Sequence, residues 1–469
     1  MNYLTVDFGS TYTKLTAVDS NTASVVGTAS AFTTIETNVI DGFNNAINKL
    51  ENQIGKFEYD ELLCCSSAAG GLKMVALGLV PELTAKAAKL AAASAGAKVI
   101  KTYSYEISKF EQEEIFEIDP DLVLLCGGTD GGNKEVIIAN ARRLCDINRN
   151  FSIIAAGNKT ASYELEDIFS NSGKDYVITE NVMPYFNKLN IQPAKQSIKN
   201  LFIKKIVEAK GLSQIQKISK REIIPTPLAV MMGCELFSRG TQNIEGIGEF
   251  LAVDLGGATT DVYSMAKGEP SIPNVVEKGL PEPFNKRTVE GDLGMRYSLK
   301  SLLDEINIDQ ISNETNIPNA DILQWIEKCT NKPDIIAGAD DKLKSSQEIS
   351  QEILIEEKLA RSAIEIAVER HCGTIEKTFT PIGEVYALTG KDLSNISYIV
   401  GIGGAIINSK NPNSILEGAK YSQKKYNFMK PKSPQYLLDA KYIFASMGLI
   451  SSIDPDLALN IIKKEIKPI

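Results

Sequence analysis

The sequence predicts an α/β protein of two lobes, in which each lobe opens with a meander of strands. Residues 3–32 and the residues from 250 onward are rich in Val, Thr and aromatic side chains and are interrupted by short turns, as in neighbouring antiparallel strands. The first turn of each meander has the same order of residues: an aspartate, an apolar residue and a glycine. A third glycine-rich turn follows an apolar strand at 398–402. Because one design occurs in both halves of the chain, we expect two lobes of related structure.

The composition is that of a folded globular protein, and it argues against several classes of function. The chain has 469 residues, of which 43% are apolar and 23% charged, which is enough for two or three domains. Its 50 basic and 59 acidic residues give a formal charge of −9, so we expect no nucleic-acid partner. Seven cysteines without a C-x-x-C pair indicate neither a disulfide framework nor a zinc site. The amino-terminal residues lack an export signal and the apolar runs are short, so we expect a cytoplasmic protein without membrane insertion.

A single histidine, His371, argues against catalysis by a Ser-His-Asp or Cys-His system and against a multi-histidine metal centre. It ends a charged stretch with strong helical character. We expect a structural or surface role near a helix carboxyl terminus, where a partly cationic imidazole suits the helix dipole.

The amino-terminal lobe is predicted to span residues 1–240. Strands are expected at 3–8, 12–18 and 24–31, followed by a helix at about 38–54 and an Ala-rich helix that begins near Pro81. From about 97 to 190, short apolar strands alternate with helices, which predicts a small parallel α/β insertion. The Ala-rich helix has a face of small residues that suits close helix packing or the docking of another protein, and both interpretations stay open.

The carboxyl-terminal lobe is predicted to span residues 241–469. Apolar residues recur at helical spacing between Ile349 and Ala367, which predicts a mainly helical insertion at about 296–390. Two helices, at about 435–451 and 455–464, are expected to close the chain. Lys430 and Lys432 are expected in a solvated loop before them.

The first glycine turn joins two predicted strands and consists of charged, small and hydroxyl residues: Asp7, Gly9, Ser10, Thr11, Thr13 and Lys14. Glycine and small hydroxyl residues let the backbone N–H groups of a turn approach a phosphate closely. Thr11, Thr13 and Lys14 add donors and positive charge, and the strand-ending Asp7 can hold Mg²⁺ through water. The turn predicts a phosphate site, with an ordinary hairpin as the alternative.

The second glycine turn repeats this design with Asp254 at the strand end, followed by Gly256, Gly257, Thr259, Thr260 and Asp261. Two such hairpins, facing each other, would clamp a polyphosphate and its metal from both sides. The third turn contains Gly401, Gly403 and Gly404 between an apolar strand and an apolar helix. Glycines at these positions allow a flat base and a ribose to lie against the backbone.

Together the three turns resemble the phosphate-1, phosphate-2 and adenosine motifs of the actin/Hsp70/sugar-kinase superfamily. The resemblance implies a two-lobed actin-like ATPase fold of the ribonuclease H-like type, with inserted subdomains and with ATP and Mg²⁺ as ligands. By motif match, Asp7 and Asp254 are the candidate catalytic and metal-water carboxylates. The segment from Pro225 resembles the start of the connecting helix, but Ile224 stands where a glutamate would help to place metal and water. The resemblance therefore implies a weak ATPase, or one that uses another residue.

Longer strings are similar to the MutL family, whose members are encoded with adenosylcobalamin-dependent glutamate mutase and are unrelated to the mismatch-repair protein of the same name. The strings are 66–72 (SSAAGGL), 126–132 (CGGTDGG) and 287–296 (RTVEGDLGMR). The resemblance covers nearly the whole chain. It implies an ATP-dependent reactivating chaperone that binds mutase subunits and ATP or ADP and lets a damaged cofactor leave. The client itself does not follow, because another cobalamin-dependent aminomutase could be served instead.

Alternatives on the same fold stay open: a small-molecule kinase, an ATP-driven electron donor and a nucleotide-dependent scaffold or filament. We identify no catalytic base for a kinase and no clustered cysteines for an iron–sulfur donor. The turn at 126–133 misses a P-loop because Asn133 replaces the required lysine, so we expect a tight turn there. For the acids and the arginine at 290–296, an ion-paired contact and ligand binding remain equal alternatives.

Overall fold

The chain forms two compact units in the computed structural model. The structure describes residues 1–9, 12–33, 39–67, 73–208, 212–219, 221–335, 337, 345–380 and 383–469. The first unit consists of Met1–Gly246, Gly279–Pro281 and Ile443–Ile462, and the second of Ile247–Lys278, Glu282–Tyr442 and Lys463–Ile469. The predicted division assigned all of 241–469 to the second lobe, whereas Ile443–Ile462 packs in the first unit.

The described strands of the first unit form two sheets. In chain order they are β1 (Asn2–Phe8), β2 (Tyr12–Asp19), β3 (Ser24–Phe32), β4 (Glu61–Ser66), β5 (Lys73–Gly78), β6 (Lys98–Ser104), β7 (Leu122–Leu125), β8 (Ser152–Ala155), β9 (Tyr176–Ile178) and β10 (Ile224–Pro225). The first sheet has the order β10-β4-β1-β2-β3. Strands β1, β2 and β3 are antiparallel neighbours, while β4 is parallel to β1 and β10 is parallel to β4.

The second sheet is parallel throughout and has the order β6-β5-β7-β8-β9. It begins at Lys73, earlier than the predicted insertion start at about 97. The reason is β5, which pairs with both β6 and β7 and therefore lies inside the sheet. Its residues Met74, Val75, Ala76 and Leu77 are fully buried, and a run that is apolar on both faces lacks the alternation that identifies a strand.

The described helices of the first unit are α1 (Val39–Ile54), α2 (Lys86–Ser94), α3 (Lys109–Ile118), α4 (Glu135–Cys145), α5 (Ser162–Ser170), α6 (Gln192–Glu208), α7 (Leu212–Ile218) and α8 (Thr226–Arg239). Helix α1 buries Val39, Phe43, Ala46 and Leu50, which recur at helical spacing. Helix α2 buries its Ala residues on all sides, which favours the close-packing interpretation of its small face.

The strands of the second unit repeat the arrangement of the first sheet. They are β11 (Phe250–Leu255), β12 (Thr260–Met265), β13 (Val275–Lys278), β14 (Asn285–Glu290), β15 (Thr374–Thr380), β16 (Gly383–Thr389), β17 (Tyr398–Ile402), β18 (Gln435–Leu438) and β19 (Lys467–Pro468). The main sheet has the order β14-β12-β11-β17-β18-β19, with β14, β12 and β11 antiparallel and β17 and β18 parallel to β11. In both units, three antiparallel strands are followed by two parallel strands. This is the topology of the actin-like ATPase fold, so the structure confirms the predicted fold class.

The remaining described helices are α9 (Leu299–Glu305), α10 (Ile308–Thr315), α11 (Asn319–Asn331), α12 (Ser346–His371), α13 (Gly404–Ile407), α14 (Pro412–Leu416), α15 (Ile443–Ile450) and α16 (Pro455–Glu465). Two expectations need correction. The predicted helical insertion at 296–390 ends in the β15–β16 hairpin, and the first part of the predicted helix at 435–451 is β18, because it pairs with β17. Within the described part of the chain, every helix is too short or too polar to cross a membrane.

Candidate functional site

The first candidate phosphate turn closes the hairpin between β1 and β2. The N–H of Gly9 donates to the carbonyl of Tyr12 at 3.0 Å. A Cβ atom at position 9 would lie 2.6 Å from that oxygen, so the turn requires glycine. Ser10 and Thr11, which are predicted to bind phosphate, lie outside the described residues.

Asp7 ends β1 as a half-buried carboxylate with two hydrogen-bond donors near it. Thr226, the first residue of α8, donates through Oγ1 to Asp7 Oδ1 at 2.5 Å, and Cys65 Sγ lies 3.6 Å from the same oxygen. Burial, and then the charge of Asp7, raises the pKa of Cys65 well above its usual 9.0, so the thiol keeps its proton. Lys14 stands directly opposite Asp7 on β2. The carboxylate is therefore oriented by side chains from two other elements, α8 and β4.

The second candidate turn, between β11 and β12, has the same geometry. The N–H of Gly256 donates to the carbonyl of Thr259 at 2.9 Å, as Gly9 does to Tyr12. Asp254 ends β11 and is half-buried, and its partner across the hairpin is Asp261. Each unit thus places an aspartate and a four-residue glycine turn at the same point of the same sheet.

The carbonyl oxygens of the second turn are occupied by the segment that follows β14. The N–H of Met295 donates to Gly256 O at 3.0 Å, those of Arg296 and Tyr297 donate to Gly257 O at 2.8 and 2.9 Å, and Ser298 Oγ donates to Ala258 O at 2.7 Å. Among the described residues, the N–H groups of Gly257 and Ala258 have no acceptor. With its acceptors covered and two donors available, the turn presents positive potential, as an anion-binding backbone does.

Asp261 was predicted to bind the cofactor, but its carboxylate is already held within the unit. Arg287 Nε donates to Asp261 Oδ1 at 2.7 Å, and Thr259 Oγ1 donates to Oδ2 at 3.1 Å. The side chains of Arg287 and Asp261 are 3% and 13% exposed. A buried pair of this kind fixes the hairpin and offsets the negative charge opposite Asp254.

The hydroxyl groups predicted at the second strand of each hairpin do not lie beside the aspartates. Thr13 and Thr260 are both fully buried. Thr13 Oγ1 is hydrogen-bonded to Thr33 Oγ1 at 3.1 Å, and Thr260 Oγ1 donates to the carbonyl of Leu293. Side chains alternate between the two faces of a sheet, so these threonines lie on the face opposite Asp7 and Asp254.

The third turn follows β17 and starts α13. Gly401 is packed, because a Cβ atom there would lie 2.9 Å from Ile406 and 3.1 Å from Leu416. Gly403 has φ +99°, and a Cβ atom there would lie 2.3 Å from the carbonyl oxygen of Leu255. Gly404, the first residue of α13, has the hydroxyl of Tyr442 as its nearest neighbour. Glycine at 403 therefore lets this turn approach the end of β11.

Taken separately, each hairpin offers one carboxylate, which suits a magnesium ion held largely by water and phosphate. Asp7 and Asp254 each supply one carboxylate at a strand end, and Ile224, in the position of the glutamate, supplies none. No group of three or more His, Cys, Asp or Glu suited to a metal occurs among the described residues. Mg²⁺ is bound in nucleotide sites by one or two carboxylates together with phosphate oxygens and water.

The loop 126–133 forms a self-contained turn. Asn158 accepts from the N–H of Gly131 at 3.0 Å and donates to the carbonyl of Gly132 at 2.9 Å. Asn181 donates to the carbonyl of Gly128 at 3.0 Å. These bonds hold the loop in a tight turn, as predicted. Residues 68–72, part of another predicted motif, lie outside the described residues.

The acids and the arginine at 290–296 form ion pairs within the second unit. Arg370 contacts Glu290 at 2.9 Å, Asp292 at 2.8 Å and Glu305 at 2.9 Å, and Arg296 pairs with Glu356. These pairs connect the segment that covers the second turn to α9 and α12. Of the two interpretations left open by the sequence, the ion-paired contact is the one observed.

His371 has the predicted structural role at the carboxyl end of a helix, α12, but not the predicted partial charge, and the expectation for Lys430 is wrong. His371 is fully buried between Thr288 and Ser264, at 2.9 and 2.8 Å, and burial together with Lys286 and Lys391 holds its pKa well below 6.5. Its imidazole is therefore neutral and not partly cationic. Lys430, predicted in a solvated loop, is 1% exposed and pairs with Glu369 at 3.2 Å.

Sequence reasoning gave no role to Thr226, Arg287 or Ser298. Thr226 lies in the recognised helix start, 219 residues from the aspartate it contacts, and no local pattern connects the two. Arg287 begins the recognised string at 287–296 and Ser298 lies two residues after it, so the closeness of this string in sequence to the second hairpin was the available signal. Their contacts became evident once the tertiary structure placed them.

Comparison with known proteins yields a family and several distant structural likenesses. Residues 3–466 match the model of the MutL protein family. The protein MutL of Clostridium tetanomorphum is 46% identical over 467 residues, which is 98% of each chain. The activator of 2-hydroxyisocaproyl-CoA dehydratase from Clostridium difficile is 9% identical with a TM-score of 0.31, covering 100% of this chain and 99% of the other. A glycerol dehydratase reactivase is 10% identical with a TM-score of 0.35, covering 96% and 99%. These TM-scores are low, so the fold is identified by its sheet topology.

Proposed function

This chain belongs to the MutL protein family, and we propose that it is an ATP-dependent chaperone that reactivates an adenosylcobalamin-dependent mutase of the glutamate-mutase type. It acts by promoting the exchange of a damaged cofactor. In this proposal both glycine hairpins hold phosphate groups of ATP, and the turn at 401–404 borders the nucleoside. The partners are subunits of the mutase.

The second hairpin carries the proposal. Its carbonyl oxygens accept hydrogen bonds from the residues at 295–298, and the N–H groups of Gly257 and Ala258 donate to no described group. Both residues are partly exposed, so water can accept from these amides until a ligand oxygen replaces it. A phosphate oxygen is such an acceptor, and it would receive charge-assisted hydrogen bonds from both.

Hydrolysis is expected to be slow. Asp7 and Asp254 are the carboxylates that can orient a water molecule or hold magnesium-bound water, and Mg²⁺ would neutralise phosphate charge there. Ile224 removes the glutamate that would share this work, and Thr226 compensates only by fixing the Asp7 carboxylate. A slow ATPase suits a switch, because a nucleotide shifts a conformational equilibrium through its different affinity for the two states.

The test measures the thermal unfolding midpoint with and without Mg-ATP, for the wild type and for Asp254→Ala. A ligand that binds only the native state stabilises it by mass action. We expect a rise in the wild type that is reduced in the variant. Lys300→Met, an exposed position on α9, is the control and should respond as the wild type does. No shift at millimolar nucleotide would contradict the proposal.

A second experiment distinguishes the chaperone hypothesis from the small-molecule kinase hypothesis. Glutamate mutase inactivated by damaged cofactor is mixed with the protein, ATP, Mg²⁺ and fresh adenosylcobalamin, and its activity is followed. Recovery that requires ATP supports the chaperone, with the terminal phosphate released as inorganic phosphate. A nucleotide-induced shift without recovery, accompanied by a phosphorylated small molecule, would favour the kinase.

A further inference from the structure

The carboxyl edge of the parallel sheet β6-β5-β7-β8-β9 carries a set of highly exposed aromatic side chains. In a parallel sheet the carboxyl ends of all strands lie at one edge, and open α/β sheets use this edge for recognition. Five of these side chains, 60–85% exposed, lie in the loops or first helical turns that follow strands of this sheet: Tyr105, Phe110, Tyr163, Tyr185 and Phe186. We call these five residues the aromatic edge.

Backbone contacts fix the loops of the aromatic edge in place. Tyr105 follows β6 directly, and its N–H donates to Gly78 O at the end of β5. Phe110 and Tyr163 lie in the first turns of α3 and α5. The N–H of Asp130, in the loop after β7, donates to the carbonyl of Pro184, which places the segment with Tyr185 and Phe186 at the same edge.

The backbone of Tyr105 is held in a conformation that is unfavourable for its side chain. Its φ is +65°, a region that bulky residues rarely adopt and that costs about 1 kcal/mol or more. Buried Asn140 maintains it by donating to the carbonyl of Tyr105 at 2.8 Å. Glycine or asparagine would fit this backbone at lower cost. The backbone conformation therefore does not explain why position 105 is a tyrosine, and the exposed aromatic ring does.

The edge is suited to a protein surface more than to a small polar ligand or a polyanion. In the loop after β7, the N–H of Gly131 donates to Asn158, and the carbonyls of Gly132 and Gly128 accept from Asn158 and Asn181. Charged side chains around the edge pair with each other. Lys134 pairs with Glu164 at 2.8 Å, and Lys159 pairs with Asp130 at 3.8 Å. The partner that complements such a face has an apolar surface of low net charge.

The size of the face is also that of a protein interface. Five strands at about 4.8 Å spacing extend over about 19 Å, and five aromatic side chains of about 150–250 Å² each expose several hundred Å². A standard interface buries about 800 Å² on each partner and depends on a few aromatic anchors.

We propose that the aromatic edge is the docking surface for the client enzyme, through an apolar, weakly charged region of that enzyme. This inference rests on the proposed function, which supplies the client, whereas the surface is identified from the structure. The aromatic rings act as anchors, and the paired charges around them form a neutral rim.

Binding to purified glutamate mutase tests the surface, in the presence of Mg-ATP or Mg-ADP, by biolayer interferometry. The variant combines Phe110→Ser, Tyr163→Ser and Phe186→Ser. The matched control combines Phe379→Ser and Tyr426→Ser, which are 78% and 70% exposed in the second unit. We expect the first variant to weaken binding about tenfold or more, and the control to change it less than about twofold. Both should keep the wild-type unfolding midpoint, because the rings are at the surface.

Photo-crosslinking from p-benzoylphenylalanine at position 163 identifies the occupant. Crosslinks to a mutase subunit support the proposal, and crosslinks to a second copy of the chain overturn it. Equal binding by the aromatic variant and the wild type would overturn the docking surface and leave the proposed function in place. Absence of binding by the wild type with either nucleotide would instead overturn the proposed function, and the docking surface with it.

Discussion

At the residue scale, the arrangement around Asp7 shows how side chains from other elements position a strand-end carboxylate. Thr226 donates to Asp7 at 2.5 Å, while Ile224, two residues earlier, is buried in β10. A short hydrogen bond to a charged acceptor is among the stronger ones in proteins. Thr226 is therefore a positioning residue for the carboxylate and not a direct substitute for the missing acid.

Thr226→Val should slow ATP hydrolysis about tenfold, because a hydrogen bond to a charged group contributes about 1.5–3 kcal/mol and 1.4 kcal/mol is a factor of ten in rate. The dissociation constant for ADP should change little. Thr226→Ser keeps the hydroxyl and should restore the rate. Equal turnover in the valine and serine variants, measured by phosphate release, would assign Thr226 a packing role alone.

A second residue-scale feature is a buried cationic cluster behind β12. Lys391 is 1% exposed and donates to the carbonyl of Phe284 at 2.6 Å and to Ser264 Oγ at 3.3 Å. Burial, and then the charge of Lys286, lowers its pKa to about 7, although Glu282 and Glu249 oppose the shift. Neutral His371 shares the same serine.

The sign of the pH dependence follows from this lowered pKa. Between about pH 7 and pH 10.5 the unfolded chain holds a proton on Lys391 that the folded chain lacks, so the free energy of unfolding rises with pH. Urea titrations at pH 7 and pH 9.5 should show a rise in the wild type, larger than in Lys391→Met by on the order of 2 kcal/mol. Lys300→Met should keep the wild-type rise. Identical pH profiles for wild type and Lys391→Met would mean that this lysine is charged in the folded protein.

At the element scale, helices α8 and α15 pack unusually close to each other. A Cβ atom at Gly448 would lie 1.9 Å from the carbonyl oxygen of Ala229, and one at Gly233 would lie 2.3 Å from that of Phe444. All eight residues of α15 are buried. A helix buried on every side, with Ser446 as its one polar side chain, belongs in a core, and glycine at the crossing allows the two backbones to meet.

Gly448→Ala should lower the free energy of unfolding by about 1–3 kcal/mol, because the added methyl group must displace backbone in a packed core. The same measurement by urea titration should leave Asn460→Ala, at an exposed position of α16, within about 0.5 kcal/mol of the wild type. A stabilised Gly448→Ala would show that α15 gains more from alanine's helix propensity than it loses in packing.

At the scale of the whole molecule, the carboxyl-terminal segment belongs to the unit that the amino terminus begins. Residues Ile443–Ile462 form part of the first unit, and Ser446 Oγ donates to Thr16 Oγ1 of β2 at 3.0 Å. The first unit is therefore complete only when residues Ile443–Ile462 are in place. A linear division near residue 240 separates segments that share a core.

A chain ending at Tyr442 should have an unstable first unit although residues 1–246 are intact. Removing α15 uncovers the apolar face of α8, and apolar area contributes about 25 cal/mol per Å². Hydrogen exchange should be faster throughout Thr226–Arg239 than in the full chain. A chain ending at Lys464, which keeps α15, is the control. Unchanged protection of α8 in the shorter chain would contradict the role of α15.

Local sequence determined the three glycine turns, the strands beside them and most helices, because a turn such as the one at Gly9 depends on residues within four positions of it. The repeated hairpin design therefore predicted the actin-like fold, and the longer strings predicted the family. Local pattern could not show that β5 lies inside a sheet, that 435–438 is a strand or that α15 returns to the first unit. These features depend on partners far along the chain.

The same holds at the candidate site. Tertiary structure alone brought Thr226 to Asp7, Arg287 to Asp261 and the residues at 295–298 onto the carbonyls of the second turn. Such contacts are made by folding and leave no periodic signal in the sequence.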